Sequence, residues 1–444
     1  MVRRLIWAAL AGVALAASAS ADARKKPPPP PAPAPAPVIP QVRSGDAAVD
    51  AYYFYDRAGS PIWTRDAASR QAAARVAEIL RRAPIDGLAE GPALAATVES
   101  ALAAGTLNDD ALISLAWLKY VKALRAPVGG VEYGDPALML KLPTAKDVLG
   151  AVVAAPSPLA HVDAVAAVNS FYSALRDSAL ANNAASDPHV RATLDRLRLI
   201  PAKGKIIIVD TANQRLMMVE DGIVAGSMKT IVGKVKSPTP LIAGKVHYVT
   251  LNPYWNIPMD VVQRRVAPTV VKRGVSYLKS ARYVTINKWG ADAELVDPAT
   301  IDWKAVAAGT EKAYLRQLPG LNNMMGHMKF GFANRFDIFL HDTPHRDLFT
   351  KATRNLSMGC VRLEHAPDLA RWLLGTEPVT SDDAPEQQVA LSAGVPVYTV
   401  YLTANVDGDK LVYANDVYGF DQPAQAQAHA VVPAAGPVAD DGTR

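Results

Sequence analysis

The stretch Lys205-Ile206-Ile207-Ile208-Val209 decides how this chain folds. Four consecutive β-branched residues suit a strand and disfavour a helix. Working outward, a turn at Thr211-Ala212-Asn213 precedes a second apolar run, 216–219, and Asp221-Gly222 precedes a third from Ile223, the texture of successive hairpins. Further strands are expected at 246–251, 283–286, 338–340 and 397–402. A helix is expected after Cys360, with Pro367 in its first turn, Asp368 favourable to its dipole, Leu369, Trp372 and Leu373 on one face, and Gly375 ending it.

Upstream of residue 203 the pattern is helical. Ala72, Val76, Ile79, Leu80 and Ala83 share one helical face, as do Val165, Val168, Tyr172 and Leu175, and 109–125 reads as another helix. Pro84, Pro127-Val128-Gly129-Gly130 and Pro156-Ser157-Pro158 punctuate these segments into a bundle of short helices. The aromatic group Tyr52, Tyr53, Phe54, Tyr55 and Trp63 suits core packing better than a groove. The fold class is therefore α+β, a helical half followed by a β-rich half.

The ends carry different information. Arg3 and Arg4 precede an apolar run, 5–17, and small residues at 17–21, as in a secretory leader over 1–23. That run is too short to span a bilayer. A linker at 24–44 follows, basic at Arg24-Lys25-Lys26 and then rich in Pro and Ala, which suits a polyproline spacer. The helical part occupies 45–202, the β-rich part 203–405, and an extension with a disordered tail 406–444. Lys and Arg number 47 against 42 Asp and Glu, a formal charge of +5, and no nucleic-acid motif accompanies it.

The chemistry-bearing segment is 336–363, FDIFLHDTPHRDLFTKATRNLSMGCVRL. It contains the chain's single cysteine, Cys360, so no intrachain disulfide is available. A thiol nucleophile needs a base and donors for the oxyanion formed when a carbonyl is attacked. His341 closes a β run, Cys360 sits in a Ser-Met-Gly-Cys turn, and Arg362 follows the sulfur by two residues. The amides of Met358, Gly359 and Cys360 could stabilise an oxyanion, and Arg362 could hold a carboxylate bidentately. His341 and His345 are four apart, but Pro344 between them argues for a turn rather than a metal-binding helix, so no metal is expected.

The HxxP…SxGCxR arrangement resembles the catalytic motif of the YkuD-type L,D-transpeptidases. Asn252-Pro253-Tyr254-Trp255-Asn256-Ile257-Pro258, Val296-Asp297-Pro298, Leu315-Arg316-Gln317-Leu318-Pro319-Gly320 and Lys329-Phe330 resemble the larger, scaffold-bearing periplasmic members of the YcbB type. The helical half resembles their scaffold more weakly. Met358 departs from the histidine common at that position, and no peptidoglycan-binding repeat is recognisable. The resemblance implies a β-rich catalytic domain with an insertion at about 260–325 capping the cleft. It makes Cys360 the nucleophile and His341 the base, oriented by a backbone carbonyl. Ser357, Gly359 and Arg362 become the motif's structural and substrate-positioning part, and Tyr254 and Trp255 flank the cleft. Arg316 is a structural residue or a substrate contact.

The activity this implies is peptidoglycan 3→3 crosslinking in the periplasm, without a cofactor. Cys360 would take the acyl group of diaminopimelate from a tetrapeptide stem, releasing D-Ala, and another stem's diaminopimelate amine would resolve the thioester. Carbapenems would acylate the same thiol. Attachment of outer-membrane proteins to the wall, or hydrolysis, would use the same site with another acceptor. A non-catalytic wall-binding scaffold is the rival of another class.

Overall fold

The computed structural model describes residues 41–290, 292–378 and 384–421. The expected leader, most of the linker and the tail from residue 422 lie outside the described residues.

Among the described residues, eight α-helices form the first half: α1 (Ala47–Ala51), α2 (Ala67–Arg82), α3 (Gly91–Ala104), α4 (Leu107–Leu124), α5 (Ala145–Ala154), α6 (Pro158–Ala167), α7 (Ser170–Ala181) and α8 (Pro188–Leu197). Capping explains several starts. Thr106 and Asp109 form a reciprocal capping box on α4, as do Thr144 and Asp147 on α5. The expected continuous face through 165–175 is in fact two helices. Val168 takes φ 60°, which ends α6, and the Asn169 side chain accepts the Tyr172 N–H to start α7. Asn169 is buried and also donates to the carbonyls of Leu197 and Ile200, so a tertiary bond fixes a break that periodicity does not register. Of the aromatic group, Tyr53 and Trp63 are fully buried and both bond Ser114, while Tyr55 is exposed.

Eight strands follow that close on themselves: β1 (Lys205–Asp210), β2 (Arg215–Glu220), β3 (Ile223–Gly233), β4 (Leu241–Leu251), β5 (Met328–Phe332), β6 (Leu340–His341), β7 (Val361–Leu363) and β8 (Gln387–Val400). Their order is β4-β8-β1-β2-β3-β7-β6-β5, and β5 returns to pair with β4, completing a barrel. β6 with β7 and β8 with β1 are parallel, and the remaining barrel pairs are antiparallel. Val131–Tyr133 adds to the outside of β4.

The unbroken apolar run of β1 has a physical reason. Ile207 and Val209 point into the barrel core with Leu216, Val246, Phe330 and Val397, while Ile206 and Ile208 point outward into the core of the helical half. A strand covered on both faces has no solvent face to alternate. The helical and β-rich parts therefore share packing rather than hanging as separate bodies. The segment after β8 is also ordered: Ala404–Asp407 pairs with Lys410–Tyr413, Tyr418 and Phe420 pack on Tyr401, and Asp421 pairs with Arg196.

Between β4 and β5, three short strands, Trp255–Asn256, Tyr283–Ile286 and Tyr314–Gln317, form a separate sheet. They pack with the helices Ala267–Arg273 and Trp303–Ala308 around a core of Ile257, Val262, Val270, Leu278 and Leu315. The insertion thus has a core of its own. No helix among the described residues is long and apolar enough to cross a membrane.

Candidate active site

Strand parity assembles the site. In the parallel pair β6–β7, Leu340 faces Val361 and His341 faces Arg362, and the Val361 N–H donates to the Phe339 carbonyl. Leu340, Val361 and Leu363 are fully buried in the barrel core. The alternating residues, Phe339 and His341 on one chain segment and Cys360 and Arg362 on the other, therefore lie on the opposite, outer face. Residues 19 apart in sequence thus fall on adjacent paired segments. Lys329 of β5 is the cross-strand partner of His341 on its other side.

His341 is buried, and its Nδ1 lies 2.5 Å from the Asp342 carbonyl oxygen. Only a protonated ring nitrogen can bond a carbonyl, so Nδ1 carries the hydrogen and the neutral ring keeps Nε2 as its basic atom. Burial, then the cations of Arg362 and Lys329, push the imidazole pKa down to about 3, against the opposing pull of the Asp342 and Met325 carbonyls. Burial also raises the Cys360 thiol above its ordinary value, opposed by the Phe339 backbone and Arg362. The resting pair is neutral thiol and neutral imidazole, so the histidine is available as a base rather than spent in an ion pair.

The Asp342 side chain has a structural task. It accepts the His327 N–H at 2.9 Å and pairs with Arg346, which in turn donates to the Glu364 carbonyl just past β7. Asp342 thereby ties the end of β6 to the end of β7 and to the loop before β5.

The turn before Cys360 is held from below. Gly359 adopts φ +125°, and a Cβ there would approach Ile338 Cδ1 to 2.8 Å. Its N–H donates to Ser357 Oγ at 3.1 Å, and its carbonyl accepts from Thr239 Oγ1 at 2.6 Å. The Gly359 amide thus has an internal partner in Ser357 Oγ. Met358 itself is exposed. Thr239, buried between two prolines, also accepts the Gly233 N–H at 2.9 Å. Sequence reasoning passed over it, and the only signal was a polar residue inside Pro238-Thr239-Pro240. Thr239→Val keeps the shape but strands both backbone groups, so it is expected to cost roughly 1–3 kcal/mol, read by denaturant unfolding, and to change the alkylation rate of Cys360.

Arg362 Nε is buried with no hydrogen-bond partner. Beside the thiol, that leaves a desolvated donor to satisfy, as a bound carboxylate would do. Tyr254 and Trp255 stand where the chain enters the insertion. Trp255 packs against the core of the insertion, and Tyr254 lies under the Arg316 guanidinium, 4.4 Å from ring centroid to Cζ. No hydrogen bond or ring contact joins either to Cys360 or His341. Arg316 is itself held by Asn256 Oδ1 and the Gly290 carbonyl.

Comparisons with known proteins bear on this architecture. Residues 48–178 match the model of a scaffold domain, and residues 204–396 match that of the L,D-transpeptidase catalytic domain, YkuD. A Haemophilus influenzae protein named "Putative L,D-transpeptidase" is 32% identical over 235 residues, 51% of this chain and 47% of that protein. The chain thus spans about half the length of that curated relative. Two solved structures, an L,D-transpeptidase from Mycobacterium smegmatis and the Ldtfm-avibactam carbamoyl enzyme, are each 14% identical, with TM-scores of 0.23. They cover 44% and 46% of this chain, and 58% and 50% of their own, and at that level of superposition they bear on neither fold nor function. The chain thus carries a YkuD L,D-transpeptidase catalytic domain preceded by a scaffold domain.

Proposed function

We propose that the protein is a periplasmic peptidoglycan L,D-transpeptidase that forms 3→3 crosslinks through a Cys360 thioester. The observation that carries the reading is the parallel pairing of β6 and β7, where His341, fixed through Nδ1 by the Asp342 carbonyl, is the cross-strand partner of Arg362, two residues beyond Cys360.

In this reading His341 Nε2 takes the thiol proton as sulfur attacks the acyl carbonyl of the diaminopimelate residue. The amides of Met358 and Cys360 receive the oxyanion. The tetrahedral adduct collapses by breaking the amide C–N bond, and the imidazolium returns its proton to the departing D-Ala amine. Deacylation runs the sequence in reverse: the acceptor stem's amine attacks the thioester, His341 removes its proton, and sulfur leaves to recover that proton. A new amide replaces the old one, so the exchange needs no nucleotide. Burial favours this course, since a neutral imidazole is competent at both steps. Arg362 would orient a substrate carboxylate through its unpartnered Nε.

The test incubates the mature protein with disaccharide-tetrapeptide and resolves products by mass spectrometry. A crosslinked dimer lacking one D-Ala is expected. Tripeptide alone, or unchanged substrate, would contradict stem-to-stem crosslinking.

A further inference from the structure

Beside the catalytic groups lies a cavity of about 440 Å³ that they do not line, bounded by Lys229, Arg346, Phe349, Glu364, His365 and Pro367. It opens where β3 and β7 run together. The Glu364 N–H donates to the Lys229 carbonyl, and Arg362 pairs with Ile231, so the outer-facing series of β7 continues from Cys360 through Arg362 to Glu364. At about 3.3 Å per residue, that series covers roughly 13 Å.

Three properties define what the cavity can take. Its charges come in both signs: Lys229 Nζ lies 3.8 Å from Glu364 Oε1, a loose pair whose lysine side chain is half exposed. Glu364 is held in place through its other oxygen by the Lys229 N–H at 3.0 Å, while Arg346 is braced by Asp342. The walls between these charges are the Phe349 ring and Pro367, which suit methylenes. A fixed carboxylate, a half-exposed ammonium that also donates to the Phe349 carbonyl at 3.4 Å, and an apolar wall together match an aliphatic chain ending in adjacent ammonium and carboxylate groups. A simple anion would leave Glu364 opposing it.

Resting on the proposed function, we infer that this cavity is a side-chain subsite for the donor stem: with its acyl carbon on Cys360, the diaminopimelate residue runs past Arg362 and places its free amino-acid end between Glu364 and Lys229. A lysine at the same stem position has the ammonium but lacks the carboxylate, so Lys229 and Glu364 act as specificity residues.

The experiment compares tetrapeptide stems carrying diaminopimelate or lysine at the third position, using the full-length mature chain, Lys229→Met and Glu364→Gln. Glu364→Gln keeps an acceptor for the Lys229 N–H. The wild type is expected to favour diaminopimelate at least tenfold in kcat/KM. Each variant should lose most of that preference, while iodoacetamide labelling of Cys360 and the thermal midpoint stay unchanged. Preference retained in both variants overturns the inference. In parallel, free meso-diaminopimelate is titrated and followed by NMR, which decides the matter even if neither stem is turned over. Saturable binding lost in both variants supports the subsite when the transpeptidase reading fails; no binding, or binding indifferent to the variants, overturns it.

Discussion

Replacement of Cys360 by alanine is expected to abolish acyl transfer, with residual turnover at least about a thousandfold below wild type. No other thiol exists in the chain to substitute. The side chain is half-buried and donates weakly to the Asp337 carbonyl, at 3.6 Å, so its removal should leave folding intact. An unchanged unfolding midpoint beside the lost activity would separate chemistry from structure. Retained turnover would mean that Cys360 is not the nucleophile, and absence of turnover in the wild type as well would favour the scaffold-protein alternative.

His341→Gln is the second large effect, with kcat expected to fall by roughly 10²–10⁴, the range for removing a positioned general base. It has a second readout that a merely structural residue would not give. The folded imidazole titrates near 3 and its ordinary value is 6.5, so below 6.5 the unfolded chain binds a proton that the folded chain refuses. Stability therefore falls as pH drops from about 6.5 toward 3, by an order of a few kcal/mol. Above 6.5 both states are neutral and the contribution is constant. His341→Gln should flatten this acid limb in urea titrations at a series of pH values. An acid limb of unchanged slope would contradict the burial of a neutral imidazole. Thiol reactivity changes in the same direction but over a higher range: the raised thiol predicts that iodoacetamide labelling of Cys360 climbs with pH into the alkaline range, with no plateau near neutrality.

The candidate nucleophile and base were legible in the sequence as a cysteine and a histidine on short extended segments. His341 and Cys360 are recognisable as a pair only if the chain between them returns to the same face, and the parallel register of β6 and β7 supplies that return. The β-branched run 205–209 announced a strand, but not that its alternate residues would serve two cores. Other features depend on contacts that no local pattern records. Val168 breaks a helix because Asn169 finds partners about 30 residues away. The Gly359 amide is engaged by Ser357 Oγ, and Thr239 reaches Gly359 from 120 residues upstream. The packing of Trp255 on the insertion core likewise depends on residues far along the chain. In each case a long-range partner adds what the residue type alone does not show.

The central claim is that the sulfur of Cys360 becomes the acyl carrier. Intact-protein mass spectrometry after brief exposure to tetrapeptide stem, followed by peptide mapping, tests it most directly. The account predicts an adduct equal to the stem without its terminal D-Ala, located on the peptide containing Cys360, labile to hydroxylamine and absent from Cys360→Ala. Product formation with no such adduct, or an adduct on any other residue, would contradict it.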